Sequence, residues 1–324
     1  MLDRRRFLLS ASALAALPAL SACGGSGAAP ATARPAAAGG FPRTVRHELG
    51  ETRIDAEPAR VVCGTDGSEL CSLLALGVRP VGYGQRNDPP RPWLRGQVDG
   101  LDSYDLSTGE TSYERLAAWA PDLVLVQAGF GTEETLPRFT EIAPTVVTSF
   151  IDWRENLRQV SEAVGHEDRA AALVAETDAL VEQAAGRLRE RAAGLKLRAL
   201  ASFTDGTVYQ LNDASPLGRL AEGLGLAPLP AARAEGEAVD EVSLELLADA
   251  AGDADLLLLM DFGNDATDLA GLQARGVYQS LAPVRAGRVV TVAPDDANAL
   301  YFDAVLTVAP NTRYLERVVT DALS

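Results

Sequence analysis

The chain has few of the residues from which metal sites and catalytic centres are built. It contains only two histidines, His47 and His166, and three cysteines in 324 residues. A protein-bound zinc or manganese ion needs several nitrogen, sulfur or carboxylate ligands in one place. One histidine lies in a predicted terminal hairpin and the other in a predicted helix, so the sequence argues against a metal ion held directly by the protein.

The signatures of nucleophilic catalysis are lacking as well. No Gly-x-Ser-x-Gly segment occurs, although that turn exposes the nucleophile in a large class of hydrolases. Neither histidine falls in a loop that is expected to line a cleft. A secreted hydrolase is therefore the weakest alternative, and we do not expect an enzyme.

Positive charge is scarce in this sequence. Lysine and arginine number 29 against 45 acidic residues, the formal net charge is −16, and Lys196 is the only lysine. A surface this acidic repels the phosphates of nucleic acids. The sequence therefore argues against a nucleic-acid partner, and solubility is the ordinary role of the acidic surface.

Only the N-terminus carries a hydrophobic run that could concern a membrane. Three arginines at 4–6 precede a largely apolar run over 7–20, which is shorter than the roughly 20 residues of a spanning helix. Leu20-Ser21-Ala22-Cys23 follows as a lipoprotein cleavage box. The pattern predicts a signal peptide over 1–22, of twin-arginine or general secretory type, and a lipid on Cys23. We expect export and lipid anchoring to the outer face of the cytoplasmic membrane.

Composition then predicts the division of the mature chain. Residues 28–40 are rich in Ala, Pro and Gly, so we expect a flexible tether over 23–40. About 300 further residues suit two lobes rather than one core. We expect an N-terminal α/β lobe over 41–152, a helical segment over 153–196 and a C-terminal α/β lobe over 197–324.

Strand and helix patterns alternate in both predicted lobes, as in α/β proteins. A polar, Pro-rich stretch over 84–111 is long enough to predict a functional loop. Cys63 ends a predicted strand and Cys71 lies in a predicted helix; a disulfide and two buried thiols both remain open. The predicted elements are a hairpin over 41–54; strands over 60–63, 78–83, 122–126, 145–148, 197–203, 208–211, 255–260 and 288–292; and helices over 68–76, 113–120, 132–142, 216–224, 243–250 and 303–323.

Residues 153–196 differ, because their apolar positions follow helical spacing throughout. Gly165 is expected to divide them into two helices. The second, over 167–193, would be roughly 40 Å long at 1.5 Å per residue. A stiff helix between two lobes predicts a small closure rather than a wide swing.

Several short segments occur in an order and spacing that belong together in one family. They are Pro58-Ala-Arg-Val-Val62, Leu74-Ala-Leu-Gly-Val-Arg-Pro-Val-Gly82, Ser112-Tyr-Glu-Arg-Leu116 with Pro121-Asp-Leu-Val-Leu125, and Arg285-Ala-Gly-Arg-Val-Val290. With the two lobes, the long helix, export and lipid anchor, they resemble the substrate-binding proteins of ABC importers for ferric siderophores, haem and cobalamin. The resemblance covers 41–324.

The resemblance implies two Rossmann-like lobes joined by a single long α-helix, with a ligand cleft between them. It implies capture of a ferric siderophore and delivery to an ABC permease dimer with its cytoplasmic ATPase. Iron would be carried inside the siderophore, with no cofactor held by protein ligands. Because ligands bind beyond the carboxyl ends of strands, we expect cleft-lining segments at 65–68, 83–94, 127–131, 203–209, 261–264 and 295–302.

The same resemblance implies the ligand-contacting residues. Arg91 and Phe130 match an arginine and an aromatic that contact ligand in relatives, and Arg86 competes with Arg91. Trp93 is either a ligand contact or a packing residue. Tyr301 and Phe302 match an aromatic pair; in an extended stretch only one of them would face the cleft.

One glutamate in each lobe matches the residues that pair with permease arginines in the family. Glu114 and Glu245 occupy the same place in two Ser-x-Glu-x-Leu segments, each leading into a buried strand. Charge pairs at two ends of a protein fix its orientation on a partner. The ordinary alternative is a glutamate in a first helical turn, with Thr111 or Ser112 as the cap.

The ligand class remains open between related alternatives. Asp261 and Asp265 add negative charge near the expected cleft, which favours hydroxamate over catecholate siderophores. Haem usually needs an axial His or Tyr, and Tyr83 or Tyr301 would have to serve. Cobalamin is a similar alternative within the same family.

Overall fold

A long mid-chain helix connects two five-stranded sheets in the computed structural model, which describes residues 40–234 and 236–323. The predicted signal peptide over 1–22, Cys23 and most of the predicted tether lie outside the described residues. Within the described ranges, no helix has both the length and the apolar character needed to cross a membrane.

The first lobe alternates strands and helices as predicted. Its elements are β1 (Arg43–His47), β2 (Gly50–Ile54), β3 (Val61–Cys63), α1 (Ser68–Ala75), β4 (Gly82–Gln85), β5 (Ser103–Asp105), α2 (Tyr113–Ala118), β6 (Leu123–Gln127), α3 (Leu136–Thr140), β7 (Thr145–Thr148) and α4 (Trp153–Val164). β1 and β2 form an antiparallel hairpin. The other strands form a parallel sheet in the order β5-β4-β3-β6-β7. The central strands are buried on both faces, which explains their continuous apolar runs.

The interlobe helix α5 (Glu167–Ala192) has 26 residues and a length of about 39 Å. Gly165 separates it from α4, as the sequence predicts, and adopts a left-handed conformation with φ of +79°. Near its start, Ala170 packs in the core of the first lobe, and Leu188, near its end, packs in the core of the second lobe. The helix therefore joins the two cores.

The second lobe is built from a mixed sheet. Its elements are β8 (Leu197–Ser202), β9 (Val208–Leu211), α6 (Pro216–Gly223), β10 (Val239–Glu241), α7 (Leu247–Ala251), β11 (Leu256–Met260), α8 (Leu269–Gln273), α9 (Gly276–Ser280), α10 (Ala282–Arg285), β12 (Val289–Val292), α11 (Pro294–Tyr301) and α12 (Val305–Ala322). The strand order is β10-β9-β8-β11-β12. β11 pairs in parallel with β8 and β12, whereas β9 is antiparallel to β8 and β10.

The C-terminal helix α12 also contacts both cores. Val305, in its first turn, packs in the core of the first lobe, whereas Leu315 and Val319 pack in that of the second. α12 also packs along α5. α12 therefore bridges both cores beside the connecting helix α5, and both helices would resist a large relative rotation of the lobes.

Several elements differ from the sequence prediction. β5 interrupts the stretch predicted as a loop over 84–111. Its sequence Ser-Tyr-Asp has no apolar run, and pairing with β4 defines it. α3 is shorter than predicted, because Thr132 and Thr135 bond each other's backbone N–H groups and form a turn before the helix.

Cys63 and Cys71 are free, fully buried thiols. Of the two alternatives, the structure therefore has buried thiols rather than a disulfide. Burial raises the pKa of both thiols, and the nearby Glu69 raises them further. Such thiols are poor nucleophiles.

Candidate functional site: a cleft between the lobes

A cavity of about 600 Å³ lies where segments of both lobes meet, and we call it the main cavity. Its polar lining residues are Arg91, Glu237, Asn264 and Asn298. Arg91, which follows β4, is the one lining residue from the first lobe; the others, including Glu237, come from the second lobe. The main cavity lies among segments predicted to line the cleft, beyond the carboxyl ends of the strands.

Aromatic side chains form one wall of the main cavity. Phe203 and Phe262 are stacked, with ring centroids 6.4 Å apart. Tyr209 meets Phe203 edge-on at 5.7 Å, and Tyr301 meets Phe262 edge-on at 5.6 Å. This wall offers a large, rigid apolar surface whose rings hold one another in place.

Arg91 is the cation of the main cavity. Its Cζ lies 4.7 Å from the centroid of the Phe302 ring and 5.6 Å from that of Trp93. Its Nε is buried without a hydrogen-bond partner, and the side chain forms no ion pair with any described residue. Burial lowers the pKa of Arg91, while Asp66 acts in the opposite direction; arginine nevertheless stays charged at neutral pH. A largely buried arginine without an anionic partner can donate charge-assisted hydrogen bonds to a ligand, so Arg91 favours the binding of an oxygen-rich ligand.

Arg86, the competing arginine, lies elsewhere. Its side chain is exposed and stands 4.8 Å over the ring of Phe130. Neither residue belongs to the lining of the main cavity. Of the two arginines proposed from the sequence, the structure therefore brings only Arg91 into this cavity.

Trp93 and Phe302 form a stacked pair with ring centroids 5.1 Å apart. Trp93 is only 8% exposed and does not line the main cavity, whereas Phe302 does. Trp93 therefore supports the cavity from behind, which is the packing role that the sequence left open.

The expectation that only one of Tyr301 and Phe302 would face the cleft is wrong, since both line the main cavity. It assumed an extended chain, in which neighbours point to opposite sides. Instead Tyr301 is the last residue of α11, and Phe302 follows with φ −93° and ψ 125°. The change of backbone conformation between them turns both rings to the same space.

Two buried acids lie beneath the cleft on the first lobe. Asp66 Oδ2 accepts hydrogen bonds from the backbone N–H groups of Arg86 and Asn87, at 3.2 and 3.3 Å. Glu69 Oε1 accepts from the backbone N–H of Thr65 at 3.0 Å. Burial raises the pKa of Glu69 to about 8, although hydrogen bonds from Thr65 oppose that rise. Asp66 anchors the loop that leads to Arg91, and Glu69 is protonated at neutral pH.

The two repeated glutamates lie at helix starts on the strand edge that carries the cleft. Glu114 lies in the first turn of α2 and Glu245 in a 3-10 turn just before α7. Both are exposed, and neither forms an ion pair or hydrogen bond with a described residue. Ser112 stands at the N-terminus of α2 without a side-chain capping bond. Both carboxylates are therefore available to a partner.

A smaller cavity of about 240 Å³, the side cavity, adjoins the main cavity. Tyr301 and Phe302 line both. A further cavity of about 600 Å³ lies on the side of α5 and contains several charged residues. We do not assign the ligand to it, because Trp153 is its one aromatic lining residue and its Arg154 and Arg219 are paired with carboxylates.

Four residues that line the main cavity had no individual role predicted from the sequence: Phe203, Tyr209, Phe262 and Glu237. The first three lie in segments that it predicted to line the cleft, but their mutual stacking joins strands far apart in the chain. Glu237 lies in a stretch without a motif. The available signal was an aromatic residue within two positions of the end of β8 and of β11.

Comparison with known proteins identifies the class. Residues 93–295 match the family described as periplasmic binding protein, and the chain belongs to that family. It is 27% identical to the Iron(3+)-hydroxamate-binding protein FhuD of Bacillus subtilis over 292 residues, covering 87% of this chain and 88% of that protein. It is 32% identical to the Probable siderophore-binding lipoprotein YfiY of Bacillus subtilis over 155 residues. That second match spans 46% of each chain, so the chain covers less than half the length of this relative.

A solved structure carries the same fold. The periplasmic solute binding protein from Mycobacterium smegmatis superimposes with a TM-score of 0.73 at 23% identity, covering 87% of this chain and 98% of that one. The predicted fold class, two α/β lobes joined by one long helix, is therefore confirmed.

Proposed function

We propose that this protein is an extracytoplasmic lipoprotein that captures a ferric siderophore and delivers it to an ABC permease. The observation that carries the proposal is Arg91, a largely buried cation without an anionic partner that lines an aromatic-walled cavity between two lobes. Membership of a family of solute-binding proteins supports it, as do relatives named for siderophore and hydroxamate binding.

Iron enters this site inside its ligand. A ferric siderophore wraps its metal and presents oxygen-rich edges and an apolar carrier. The guanidinium of Arg91 donates hydrogen bonds to clustered oxygens, and the wall of Phe203 and Phe262 packs on the carrier. The protein supplies no ligand to the iron and breaks no bond, so its activity is binding and release rather than catalysis.

The charges of the main cavity favour a hydroxamate. Arg91 contributes one positive charge and Glu237 one negative charge to the lining. Ferric tris-hydroxamates carry little net charge, whereas ferric tris-catecholates carry a high negative charge that one arginine does not balance. We therefore favour hydroxamates.

Haem is less well matched to the cleft. Tyr83 is almost fully buried and hydrogen-bonds with Gln85. Tyr301 lines the cavity, but burial raises the pKa of its hydroxyl, which disfavours the phenolate that iron prefers. Cobalamin remains an alternative that the titration below separates.

Export, anchoring and hand-over complete the proposal. The lipid on Cys23 tethers the protein to the outer face of the cytoplasmic membrane. Glu114 and Glu245 then pair with arginines of the permease dimer, whose cytoplasmic ATPase drives uptake.

A fluorescence titration tests the ligand class. The chain has three tryptophans, and Trp93 lies directly behind Phe302 of the main cavity, so a coloured ferric chelate bound there quenches emission. We expect saturable quenching by ferrioxamine B and weaker quenching by a ferric tris-catecholate, haemin and cyanocobalamin. If no ferric chelate quenches or shows heat of binding by calorimetry, the proposal fails.

A further inference from the structure

The side cavity is not explained by the capture of a chelate head alone. It lies between the lobes, with Phe150 and Ile151 from the first lobe facing Ala214, Pro216 and Ala238 from the second. Its volume of about 240 Å³ lies below the range of about 300–1,000 Å³ typical for sites that hold a whole small molecule. Its size therefore suits part of a ligand.

The side cavity presents no net charge to a ligand and behaves as an apolar site. Its two charged residues, Arg219 and Asp303, neutralise each other, with Arg219 Nη2 donating to Asp303 Oδ2 at 2.6 Å. Its one amide, Gln127, accepts from the backbone N–H of Ser68 at 3.4 Å. No unpaired charge of a described residue points into this space, so a polar ligand group would gain little there.

Phe150 and Ile151 form an exposed apolar patch at the edge of the side cavity. Phe150 is 49% exposed and Ile151 is 47% exposed. Two adjacent half-exposed apolar side chains at the edge of a cavity offer apolar surface that a ligand can remove from water. One residue separates these two from the end of β7, and they lie at the strand edge where ligands of this fold bind.

The two cavities are adjacent and share two lining residues. Tyr301 and Phe302 line the main cavity on one side and the side cavity on the other. Arg91 and the aromatic wall lie on the first side, and the patch of Phe150 and Ile151 lies on the second. One molecule that passes over this pair would occupy both.

We propose that the side cavity binds an apolar substituent, an alkyl or acyl chain, of the same ligand whose oxygen-rich head contacts Arg91. The inference rests on the proposed function and deepens it, because it assigns the substrate class as ferric chelates that carry an apolar chain. The chain lies against Phe150 and Ile151 and replaces the water that covers them in the free protein.

Two ligands of equal charge that differ only in the length of an apolar chain measure the contribution of the side cavity to affinity. N-acetyl-ferrioxamine B and N-hexanoyl-ferrioxamine B have the same ferric head and differ by four methylenes. Each fully buried methylene increases affinity by about fourfold. We expect the hexanoyl derivative to bind at least about tenfold more tightly, measured by tryptophan quenching and by calorimetry.

Two substitutions and one control locate the effect. Ile151→Ser removes apolar surface from the side cavity, and Ala238→Phe fills it; we expect each to bring the ratio of the two affinities close to one while leaving the N-acetyl derivative bound. Leu246→Ser changes a side chain that is equally exposed, at 47%, but lies outside the cavity. That control variant should keep the wild-type ratio.

The possible results distinguish failure of the proposed function from failure of the side-cavity proposal alone. If neither derivative binds, the proposed function fails and the side-cavity proposal fails with it. If both bind with equal affinity, or if Ile151→Ser and Ala238→Phe keep the hexanoyl advantage, only the side-cavity proposal is overturned. A third outcome is that the two affinities are equal, the wild-type protein is a dimer and Ile151→Ser is a monomer. That outcome would assign the patch to contact with a second copy of the chain, and it would also overturn the side-cavity proposal.

Discussion

Arg219 Nη2 donates a hydrogen bond to the buried carboxylate of Asp303 at 2.6 Å, and the pair fastens the second lobe to the segment between α11 and α12. The same guanidinium donates to the backbone oxygen of Ile151 in the first lobe at 3.1 Å. Asp303 also accepts from the backbone N–H of Trp153, the first residue of α4, at 3.1 Å. One ion pair therefore connects parts of both lobes beside the side cavity.

We predict that Arg219→Met destabilises the protein in a pH-dependent way. Burial raises the pKa of Asp303 to about 6, while Arg219 opposes the rise. The ionised carboxylate needs Arg219 above pH 6, but the protonated form does not. Urea unfolding should show a loss of about 1–3 kcal/mol at pH 7.5, toward the lower end because Arg219 is partly exposed, and a smaller loss at pH 5.

Arg154→Met is the matched control for that experiment. Arg154 also pairs with an aspartate, Asp178, but both side chains are about half exposed. Exposed pairs contribute about 0–1 kcal/mol. A loss in Arg219→Met that is the same at pH 5 and pH 7.5 would contradict the assignment of Asp303 as the titrating group.

Glu69→Gln should increase stability at alkaline pH. Burial raises the pKa of Glu69 to about 8 from an ordinary value of 4.5. A raised pKa in the folded state means that the contribution of Glu69 to stability is fully present below pH 4.5 and is lost as pH rises through about 8. The glutamine side chain of the variant does not titrate, so unfolding curves should show a variant that is more stable than wild type at pH 8–9 by a few kcal/mol.

The same comparison at low pH provides the check on Glu69. At pH 4–5 the advantage of Glu69→Gln should largely disappear, because the wild-type carboxyl is then protonated to a large extent in the unfolded protein as well as in the folded protein. The exposed Glu57→Gln variant serves as control and should follow wild type throughout. Parallel pH profiles for Glu69→Gln and wild type would mean that Glu69 is ionised in the folded protein.

Arg91→Ala should weaken siderophore binding without weakening the fold. Loss of a charge-assisted hydrogen bond to the chelate should cost about 1–3 kcal/mol of affinity, measured by quenching with ferrioxamine B. In the free protein the guanidinium is largely buried without an anionic partner, so its removal should leave the free energy of unfolding unchanged or higher. Arg86→Ala is the matched comparison and should have the smaller effect on affinity. Unchanged affinity in Arg91→Ala would move the ligand role to Arg86.

The sequence predicted those parts of the molecule that local patterns determine. Gly165 separates α4 from α5 as predicted, and the helical spacing after it predicted α5 to within one residue. Apolar runs such as 122–126 predicted the buried strands. These features depend on residues close together in the chain, so one sequence suffices to find them.

The features that could not be predicted from the sequence depend on contacts between residues that are far apart in the chain. β5 exists because Ser103 and its neighbours pair with β4, and no pattern within three polar and aromatic residues reveals that. The stacking of Trp93 on Phe302 joins residues more than 200 positions apart, and it makes Trp93 a support rather than a cavity-lining residue. The resemblance favoured Arg91 and left Arg86 as the competing choice; packing covers most of Arg91 and leaves Arg86 exposed.

A pair across the cleft should influence how long ligand stays bound. Arg95 donates to both carboxylate oxygens of Asp295 at 2.9 and 3.3 Å, and links the loop after β4 to the start of α11. Both side chains are about half exposed, so Arg95→Gln should change stability by less than about 1 kcal/mol. Because the pair joins the two sides of the cleft, stopped-flow displacement should show faster release of ferrioxamine B in Arg95→Gln and in Asp295→Asn. Unchanged release in both variants would leave the pair without a role in retention.

Replacing both Glu114 and Glu245 with Ala should abolish uptake while leaving ligand binding intact. Both carboxylates are exposed and unpaired among the described residues, and both lie on the strand edge that carries the cleft. Two charges, one on each lobe, orient the loaded protein on its permease, and loss of both removes that orientation. The measurements are quenching by ferrioxamine B with purified protein and uptake of iron-labelled chelate by cells. Each single variant should retain part of the uptake. The control is the double variant Glu110→Ala with Glu133→Ala, which removes two other exposed carboxylates of the first lobe. This control should retain nearly all of the uptake. Normal uptake by Glu114→Ala with Glu245→Ala would reduce the two residues to ordinary acids at helix starts.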